Sequence, residues 1–247
     1  MPPIRKGDGT PVAPKGISQV RTGDGRILFD GVAIPDKGLV QRNPFDEGSG
    51  SAVSDVVGDN DGTIQGANWE SSVGSGANHL DFPSSGDRVE WADIPTPAAD
   101  TGATIAFWCF PRSLDTILSK NNFSDDERIW DFVNSDGNLR FRAYEDPSDT
   151  DSAKTALLPF DSSEWQMFTG VIDLDEGEIR AYVNTSESVG DSIATFDDIS
   201  TNAAMGVRSD DNSNSSDMGG DHLFVYDRPF DSDDVSELYN ATKDDYE

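Results

Sequence analysis

Short stretches in which apolar side chains recur at every second residue are the feature that most limits how this chain can fold. Turn sequences separate them, such as Asn-Ser-Asp-Gly at residues 134–137 and Asp-Glu-Gly at residues 175–177. A two-residue period is typical of a β-strand that buries one face. Many such strands, with little helical periodicity, predict an all-β fold of two packed antiparallel sheets. The clearest strand candidates are residues 104–108, 138–144, 167–172 and 178–183.

Two segments depart from this pattern. Residues 232–239 predict a helix, because Ser232 and the two aspartates after it are typical capping residues. Near the N-terminus, a turn signal at residues 23–25 lies between short apolar runs and predicts a hairpin. An isolated hairpin is marginal in water, so we expect this segment to dock on another surface. The predicted parts are an N-terminal arm (1–37), an all-β domain (38–243) and an acidic tail (244–247).

The chain is strongly acidic, with 47 Asp and Glu against 18 Lys and Arg and a formal net charge of −29. Nucleic acids and anionic membranes bind clustered cations, so this charge argues against both as partners. Aspartate-rich sequences indicate adaptation to high salt, because a Debye length of about 3 Å in near-molar salt screens self-repulsion. The 13 Phe, 5 Trp and 5 Tyr supply core residues and argue against disorder.

Several local features set further expectations. The N-terminus continues into Gly, Asp and Pro rather than an apolar segment, so we expect no secretory signal. No apolar run is long enough to predict a membrane span. Cys109 is the single cysteine, which excludes an intrachain disulfide, and its aromatic neighbours predict a core position.

A series of motifs along the chain resembles the laminin-G-like, or concanavalin A-like lectin and glucanase, family of jelly rolls. The motifs are residues 38–50, 55–64, 78–82, 104–108, 164–168, 179–184, 220–230 and 235–239. Their order and spacing carry the resemblance, which spans residues 38–240. It implies a jelly roll, which the N-terminal arm of residues 1–37 precedes. Since this family includes lectins, adhesion modules, hydrolases and structural domains, the resemblance leaves the function open.

Two acidic loops resemble the calcium loops of the pentraxins, a branch of the same superfamily. Ca²⁺ takes six to eight oxygen ligands, which such loops can supply. The resemblance implies Asp125, Asp126, Asp210, Asp211 and Asn212 as ligands. Residues 59–61 are a second candidate. The alternative is a solvated acidic surface, because aspartates recur throughout the chain.

Carboxylates at residues 173, 175, 176 and 178 superficially resemble the catalytic pair of the family's glucanases. The first is Asp rather than Glu, and Asp-Glu-Gly at residues 175–177 is typical of a hairpin turn. We therefore expect no enzyme. An extracellular glucanase is kept as a third functional hypothesis, after the two that are described below. His79 and His222 lack the partners of a catalytic triad, which favours packing roles. Trp69, Trp91 and Trp130 are candidates for stacking on sugars, but core packing is the favoured role for each of them.

Residues 22–31 and 34–35 resemble the start of virion proteins of tailed viruses that infect halophilic archaea. This resemblance implies a virion surface protein, such as a capsid turret, decoration or tail-fibre subunit. Residues 1–37 would bind other virion proteins, and a homo-oligomer would display lectin-like domains to host glycans. The alternative is a free carbohydrate-binding or adhesion module at the surface of a halophilic archaeon.

Overall fold

The computed structural model describes residues 20–21, 27–29, 32–71, 78–95, 101–122, 125, 127–196, 199–209 and 214–246. Near the N-terminus lie three short strands, β1 (Val20–Arg21), β2 (Ile27–Phe29) and β3 (Val32–Ala33). They pair antiparallel in that order. The predicted hairpin is therefore confirmed, and its turn at residues 23–25 lies outside the described residues.

The following strands form two eight-stranded antiparallel sheets within the described residues. In chain order they are β4 (Leu39–Asn43), β5 (Ala52–Val53), β6 (Gly62–Gln65), β7 (Asn68–Ser71), β8 (Asn78–Phe82), β9 (Arg88–Trp91), β10 (Gly102–Ser113), β11 (Thr116–Asn122), β12 (Glu127–Ser135), β13 (Asn138–Tyr144), β14 (Ala153–Pro159), β15 (Gln166–Asp173), β16 (Glu178–Val183), β17 (Ser186–Ser192), β18 (Ala203–Met205) and β19 (Asp217–Tyr226). The first sheet has the order β17-β16-β15-β10-β19-β8-β7, and β4 also pairs with β19. The second has the order β14-β13-β12-β11-β18-β9-β6-β5. The predicted two-sheet jelly roll is confirmed.

Strand β10 shows how the sequence builds two cores, because both of its faces are apolar. Ile105, Phe107 and Cys109 face the second sheet and lie in the core between the sheets. Ala106 and Trp108 face the opposite way, into a second core that helix α1 (Ser232–Thr242) covers. The predicted core position of Cys109 is confirmed. Where α1 lies, the first sheet is buried on both faces.

The N-cap of α1 is Asp231, one residue before the predicted start. Its Oδ1 accepts hydrogen bonds from the backbone N–H groups of Asp233 (3.0 Å) and Asp234 (2.9 Å). Oδ2 of Asp234 accepts in return from the Asp231 N–H (3.3 Å), which completes a capping box. The helix runs three residues beyond the predicted end at residue 239.

Both ends of the described domain pack on the outer face of the first sheet. Ile34, in the predicted arm, is buried in the core under α1, and the Pro35 carbonyl oxygen accepts from the Tyr226 hydroxyl (3.1 Å). At the other end, α1 continues into a 3-10 turn, Lys243–Asp245, and Tyr246 packs against the same core. Part of the predicted arm and part of the predicted tail therefore contribute to this packing.

Candidate functional site

Four aromatic rings meet on the outer face of the first sheet, beyond the C-terminal end of α1. They belong to His79 on β8, Phe110 on β10, Trp165 just before β15, and Tyr246. The centroid of Trp165 lies 5.1 Å from that of His79, 5.8 Å from Phe110 and 5.1 Å from Tyr246. All four side chains are partly exposed. We refer to these four residues as the aromatic platform.

A bulge in β19 aims two further residues at the aromatic platform. Between Ala106 and Trp108 of β10 the pairing with β19 shifts register, and His222 takes a positive φ of 46°. Alternate residues of a strand face opposite sides, so one extra residue reverses the facing of those before it. Gly219 and Asp221 therefore lie on the outer face of the sheet, with Asp221 opposite Trp108.

Gly219 leaves room for the ring of Trp165. A Cβ atom at this position would lie only 2.9 Å from Cη2 and 3.1 Å from Cζ2 of Trp165. A glycine in a strand often marks such a close approach. The indole ring therefore lies directly on the backbone of β19, which fixes the height of the platform's central ring.

Tyr246 connects the aromatic platform to a buried carboxyl group that lies below it. The Tyr246 hydroxyl donates to Oδ2 of Asp221 (2.8 Å), and the His222 backbone N–H donates to Oδ1 (2.8 Å). Asp221 is 1% exposed, and this burial raises its pKa to about 7, although His222 and the Tyr246 hydrogen bond act to lower it. A group that changes its charge near neutral pH thus lies one hydrogen bond from the platform.

Charged groups border the aromatic platform. Arg112 on β10 lies between two carboxylates, with Nη2 2.5 Å from Oδ1 of Asp81 and Nε 2.5 Å from Oδ1 of Asp217. Glu70 lies opposite His79 in the register of strands β7 and β8. Burial lowers the pKa of His79 despite the nearby carboxylates, so its imidazole is neutral at neutral pH.

This combination of groups suits a sugar ligand. A sugar ring has an apolar C–H face that packs on an aromatic ring, and hydroxyl groups that need fixed hydrogen-bond partners. A carboxylate only accepts hydrogen bonds and a guanidinium only donates them, so the groups around Arg112 supply both kinds. The aromatic platform therefore offers both the apolar and the polar half of a sugar-binding surface.

Comparison with known protein families agrees with the fold. Residues 83–236, more than half of the chain, match the model of the concanavalin A-like lectin/glucanases superfamily. The chain belongs to this superfamily. The family resemblance in the sequence motifs is therefore confirmed, although the match begins well after residue 38. No curated protein sequence matches the chain.

Solved structures similar to this superfamily member include three botulinum neurotoxin domains. The receptor-binding domain of the C/D mosaic serotype has a TM-score of 0.64 at 12% identity, covering 83% of this chain and 51% of that chain. The serotype D binding domain has a TM-score of 0.63 at 12% identity, with 83% and 52% covered. The serotype D ligand-binding domain in complex with N-acetylneuraminic acid has a TM-score of 0.62 at 12% identity, with 83% and 51% covered. The chain spans about half the length of these structures, and the likeness shows the fold.

The carboxylates that resemble a glucanase pair lie at a hairpin turn. Asp173 and Glu178 are paired at the end of β15 and β16, and residues 174–177 form the turn between them. Nη2 of Arg180 lies 2.8 Å from Oδ2 of Asp173, and Nη1 lies 2.7 Å from Oε1 of Glu178. The hairpin interpretation is confirmed, and both carboxylates have an arginine partner. They line a cavity of about 440 Å³ at the N-terminal end of α1.

Most of the calcium ligands implied by the pentraxin resemblance lie outside the described residues, namely Asp126, Asp210, Asp211 and Asn212. Oδ2 of Asp125, which is described, accepts from Nδ2 of Asn122 (2.7 Å). No group of three or more His, Cys, Asp or Glu in the described ranges is placed to hold a metal ion. The calcium site therefore stays a prediction.

At the second calcium candidate, residues 59–61, two side chains make hydrogen bonds to other residues of the protein. Oδ1 of Asp61 accepts from the Asp55 N–H (2.7 Å), and Nδ2 of Asn60 donates to Oε1 of Gln41 (2.8 Å). These contacts fold the loop onto β4.

In the part of the chain that the structure describes, no helix is long and apolar enough to cross a membrane.

Core packing, the favoured role of the three tryptophans considered for sugar stacking, is confirmed for two of them. Trp91 and Trp130 are buried in the core between the sheets and cannot contact a ligand. Trp69 is partly exposed, and its Nε1 donates to the Gly50 carbonyl oxygen (3.0 Å). Trp165 is not among the candidates from the sequence, where residues 164–168 serve only as one of the family motifs. Its position directly after a polar turn, at residues 161–164, is the signal that it begins the strand near the surface.

The packing role predicted for the two histidines agrees with the structure. His222 is 4% exposed, and its Nδ1 lies 2.7 Å from the Pro44 carbonyl oxygen. His79 packs edge-on against Trp165. Packing does not separate His79 from the site, however, since its ring is part of the aromatic platform.

Proposed function

We propose that the chain is a carbohydrate-binding module without enzymatic activity, and that the aromatic platform is its ligand site. The observation that carries this proposal is the partly exposed ring of Trp165, which lies on Gly219 with three further aromatic rings around it. Membership of a superfamily that includes lectins supports the proposal. So does the complex of one similar structure with N-acetylneuraminic acid.

The charges around the aromatic platform favour neutral sugars. Asp81, Asp217 and Glu70 outnumber Arg112, and the chain as a whole carries a formal charge of −29. A sugar that carries a carboxylate is repelled by such a surface, most strongly at low salt. The proposed ligands are therefore neutral hexose-containing glycans, which differ in charge from N-acetylneuraminic acid.

Calorimetric titration with neutral and sialylated oligosaccharides in high salt tests this proposal. Trp165→Ala is expected to weaken binding about 10-fold or more, because a central aromatic contact carries much of the binding energy. Trp69→Ala is the matched control, since Trp69 is partly exposed on the same sheet but outside the platform. Unchanged affinity in Trp165→Ala, or a preference for sialylated ligands, contradicts the proposal.

For the place of action we propose a virion surface, where residues 1–37 attach the module to other virion proteins as a homo-oligomeric turret, decoration or tail-fibre subunit. The motif at residues 22–31 motivates this placement. Ile34 is buried and the Tyr226 hydroxyl donates a hydrogen bond to the Pro35 carbonyl oxygen, so residues 34–35 connect the arm firmly to the domain. The alternative is a free adhesion module at the surface of a halophilic archaeon.

Light scattering in high salt, with and without residues 1–33, separates these alternatives. The truncation stops at residue 33 because Ile34 belongs to the core under α1. The virion proposal predicts an oligomer for the intact chain and a monomer for the truncated one, and detection of the chain in purified particles by mass spectrometry. Two monomers, or particles without the chain, contradict it.

A further inference from the structure

We propose that Asp221 is a positioning residue for the aromatic platform: when protonated it holds Tyr246 against Trp165, and its ionisation releases Tyr246 and weakens ligand binding. This inference rests on the proposed function, because its effect on affinity is measured at the same site. Asp221 itself does not reach the ligand, since it is 1% exposed below the platform. Its influence passes through the Tyr246 side chain.

Tyr246 is suited to transmit a change at Asp221 because it contacts both the buried residues below the aromatic platform and Trp165 within the platform. Its hydroxyl donates to Oδ2 of Asp221 (2.8 Å). Its ring lies 4.1 Å from the ring of Trp108 below and 5.1 Å from that of Trp165 in the platform, centroid to centroid. The phenol is rigid, so the hydroxyl cannot leave Asp221 without moving the ring that supports Trp165.

Three elements present titratable or charged groups to Asp221. On β19 itself, Nδ1 of His222 lies 3.5 Å from Oδ1 of Asp221. On β4, the buried guanidinium of Arg42 attracts the ionised carboxylate. From the C-terminal turn come Tyr246 and Asp245, and Asp245 repels the ionised carboxylate. His222 and Arg42 thus favour the ionised carboxylate and Asp245 opposes it, so burial is the main factor that keeps the carboxyl protonated while Tyr246 is in place.

Proton linkage gives the direction of the effect. With Tyr246 in place, burial raises the pKa of Asp221 to about 7 and outweighs the hydrogen bond from Tyr246, which favours the ionised form. With Tyr246 released, the carboxyl is exposed and its pKa falls toward the ordinary value of about 4. The arrangement with Tyr246 in place therefore binds the proton more tightly. A rise in pH from about 4 to about 7 favours the release of Tyr246.

The first test is ligand affinity as a function of pH. We expect the wild type to bind a neutral oligosaccharide about 5-fold or more weakly at about pH 8 than at about pH 5.5. Asp221→Asn should bind equally at both pH values, because the amide keeps an acceptor for the Tyr246 hydroxyl and cannot ionise. Asp234→Asn, at the other end of α1, is the control and should keep the wild-type dependence. Equal wild-type affinity at both values, or an unchanged pH dependence in Asp221→Asn, overturns the inference.

A ligand-free measurement separates this inference from the proposed function. In an NMR titration, the Tyr246 ring resonances should shift with a midpoint near pH 7 in the wild type and not in Asp221→Asn. Tyr246→Phe, which keeps the ring and removes the hydroxyl, should raise the midpoint of the Asp221 carboxyl, because the lost bond favours ionisation. If Trp165→Ala still binds sugar, the proposed site is wrong, yet this titration still tests the role of Asp221. A titration without a midpoint between about pH 5.5 and about pH 8.5 overturns that role.

Discussion

Different interactions hold the two ends of helix α1 on the first sheet. At the N-terminal end, Arg228 binds Asp234 through two hydrogen bonds of 2.5 and 2.7 Å, and both side chains are partly exposed. At the C-terminal end, Trp108 stacks on Tyr239 and Tyr246 at centroid distances of 5.7 and 4.1 Å, and it is 2% exposed. The first end has an ion pair near water beside the buried Phe230 and Val235, and the second has aromatic stacking next to one buried carboxyl.

This difference assigns separate properties to the two ends. An exposed ion pair contributes little to stability and is screened by salt, while its charges do not change between about pH 5 and about pH 9. Buried aromatic contacts contribute more and are insensitive to salt, but the carboxyl of Asp221 makes its surroundings sensitive to pH. The aromatic platform lies at this second end, so the proposed ligand site shares its stability and its pH dependence.

The largest expected effect is that of Trp108→Ala. The substitution removes both ring stacks and the hydrogen bond from Nε1 to Oγ1 of Thr242 (2.9 Å), so we expect a loss of about 3–5 kcal/mol in the free energy of unfolding. Urea denaturation in high salt measures it. Trp69→Ala, at a partly exposed position, should cost clearly less. A loss below about 1 kcal/mol would contradict the dominant role of the C-terminal end.

The second prediction concerns Asp221→Asn and pH. The carboxyl has a pKa of about 7 when folded and of about 4 when unfolded, so the folded state holds the extra proton between these values. The contribution of Asp221 to stability is therefore fully present below about pH 4 and is lost by about pH 7, by up to about 4 kcal/mol. Asp221→Asn should be more stable than the wild type at about pH 8, and not at about pH 4.5.

Denaturation of both proteins at the two pH values measures this difference. Other carboxylates lower stability in acid, but they are common to both proteins and cancel when the variant is subtracted from the wild type. An equal stability difference at both pH values would show that Asp221 does not titrate in the folded protein. The pH dependence assigned to the C-terminal end would then belong to another group.

The fold was predictable because its signal is local. The apolar run at 104–108 and the alternation of apolar residues at 178–183 mark strands whatever their neighbours are, and the capping pattern near Ser232 marks the start of α1 to within one residue. The family motifs added the jelly-roll architecture. These features depend on residues a few positions apart, which a sequence displays directly.

The candidate site was not predictable in the same way. Trp165, Gly219 and His79 come from separate parts of the chain, and only the tertiary fold, including the pairing register of β19, brings them together. The bulge at His222 decides that Gly219 and Asp221 face outward, and an ordinary strand would have turned both inward. In the sequence Asp221 is one of 36 aspartates, and nothing nearby shows that it is buried under Tyr246.

Gly219→Ala tests the packing of Trp165 on β19. The added methyl group would lie 2.9 Å from the indole ring, so we expect a loss of about 1–3 kcal/mol in the free energy of unfolding and weaker sugar binding. The double variant with Trp165→Ala is the control, because removal of the ring also removes the clash. The two substitutions should therefore be non-additive, with the double variant more stable than the sum predicts. Additive losses would show that the methyl group acts on the backbone alone.

The smallest expected effect is that of Asp234→Asn at the N-terminal end of α1. The hydrogen bond from Arg228 lowers the pKa of Asp234. The ion pair therefore stabilises the fold at every pH above the ordinary pKa of an aspartate, and this stabilisation is lost only in acid. Because both side chains are partly exposed, we expect a loss of at most about 1 kcal/mol that shrinks as salt is raised and stays constant between about pH 5 and about pH 9. Asp233→Asn removes the same charge from the same helical turn and is the matched control in denaturation measurements. A loss as large as that of Trp108→Ala, or one that follows pH as Asp221 does, would mean that the two ends of the helix are held alike.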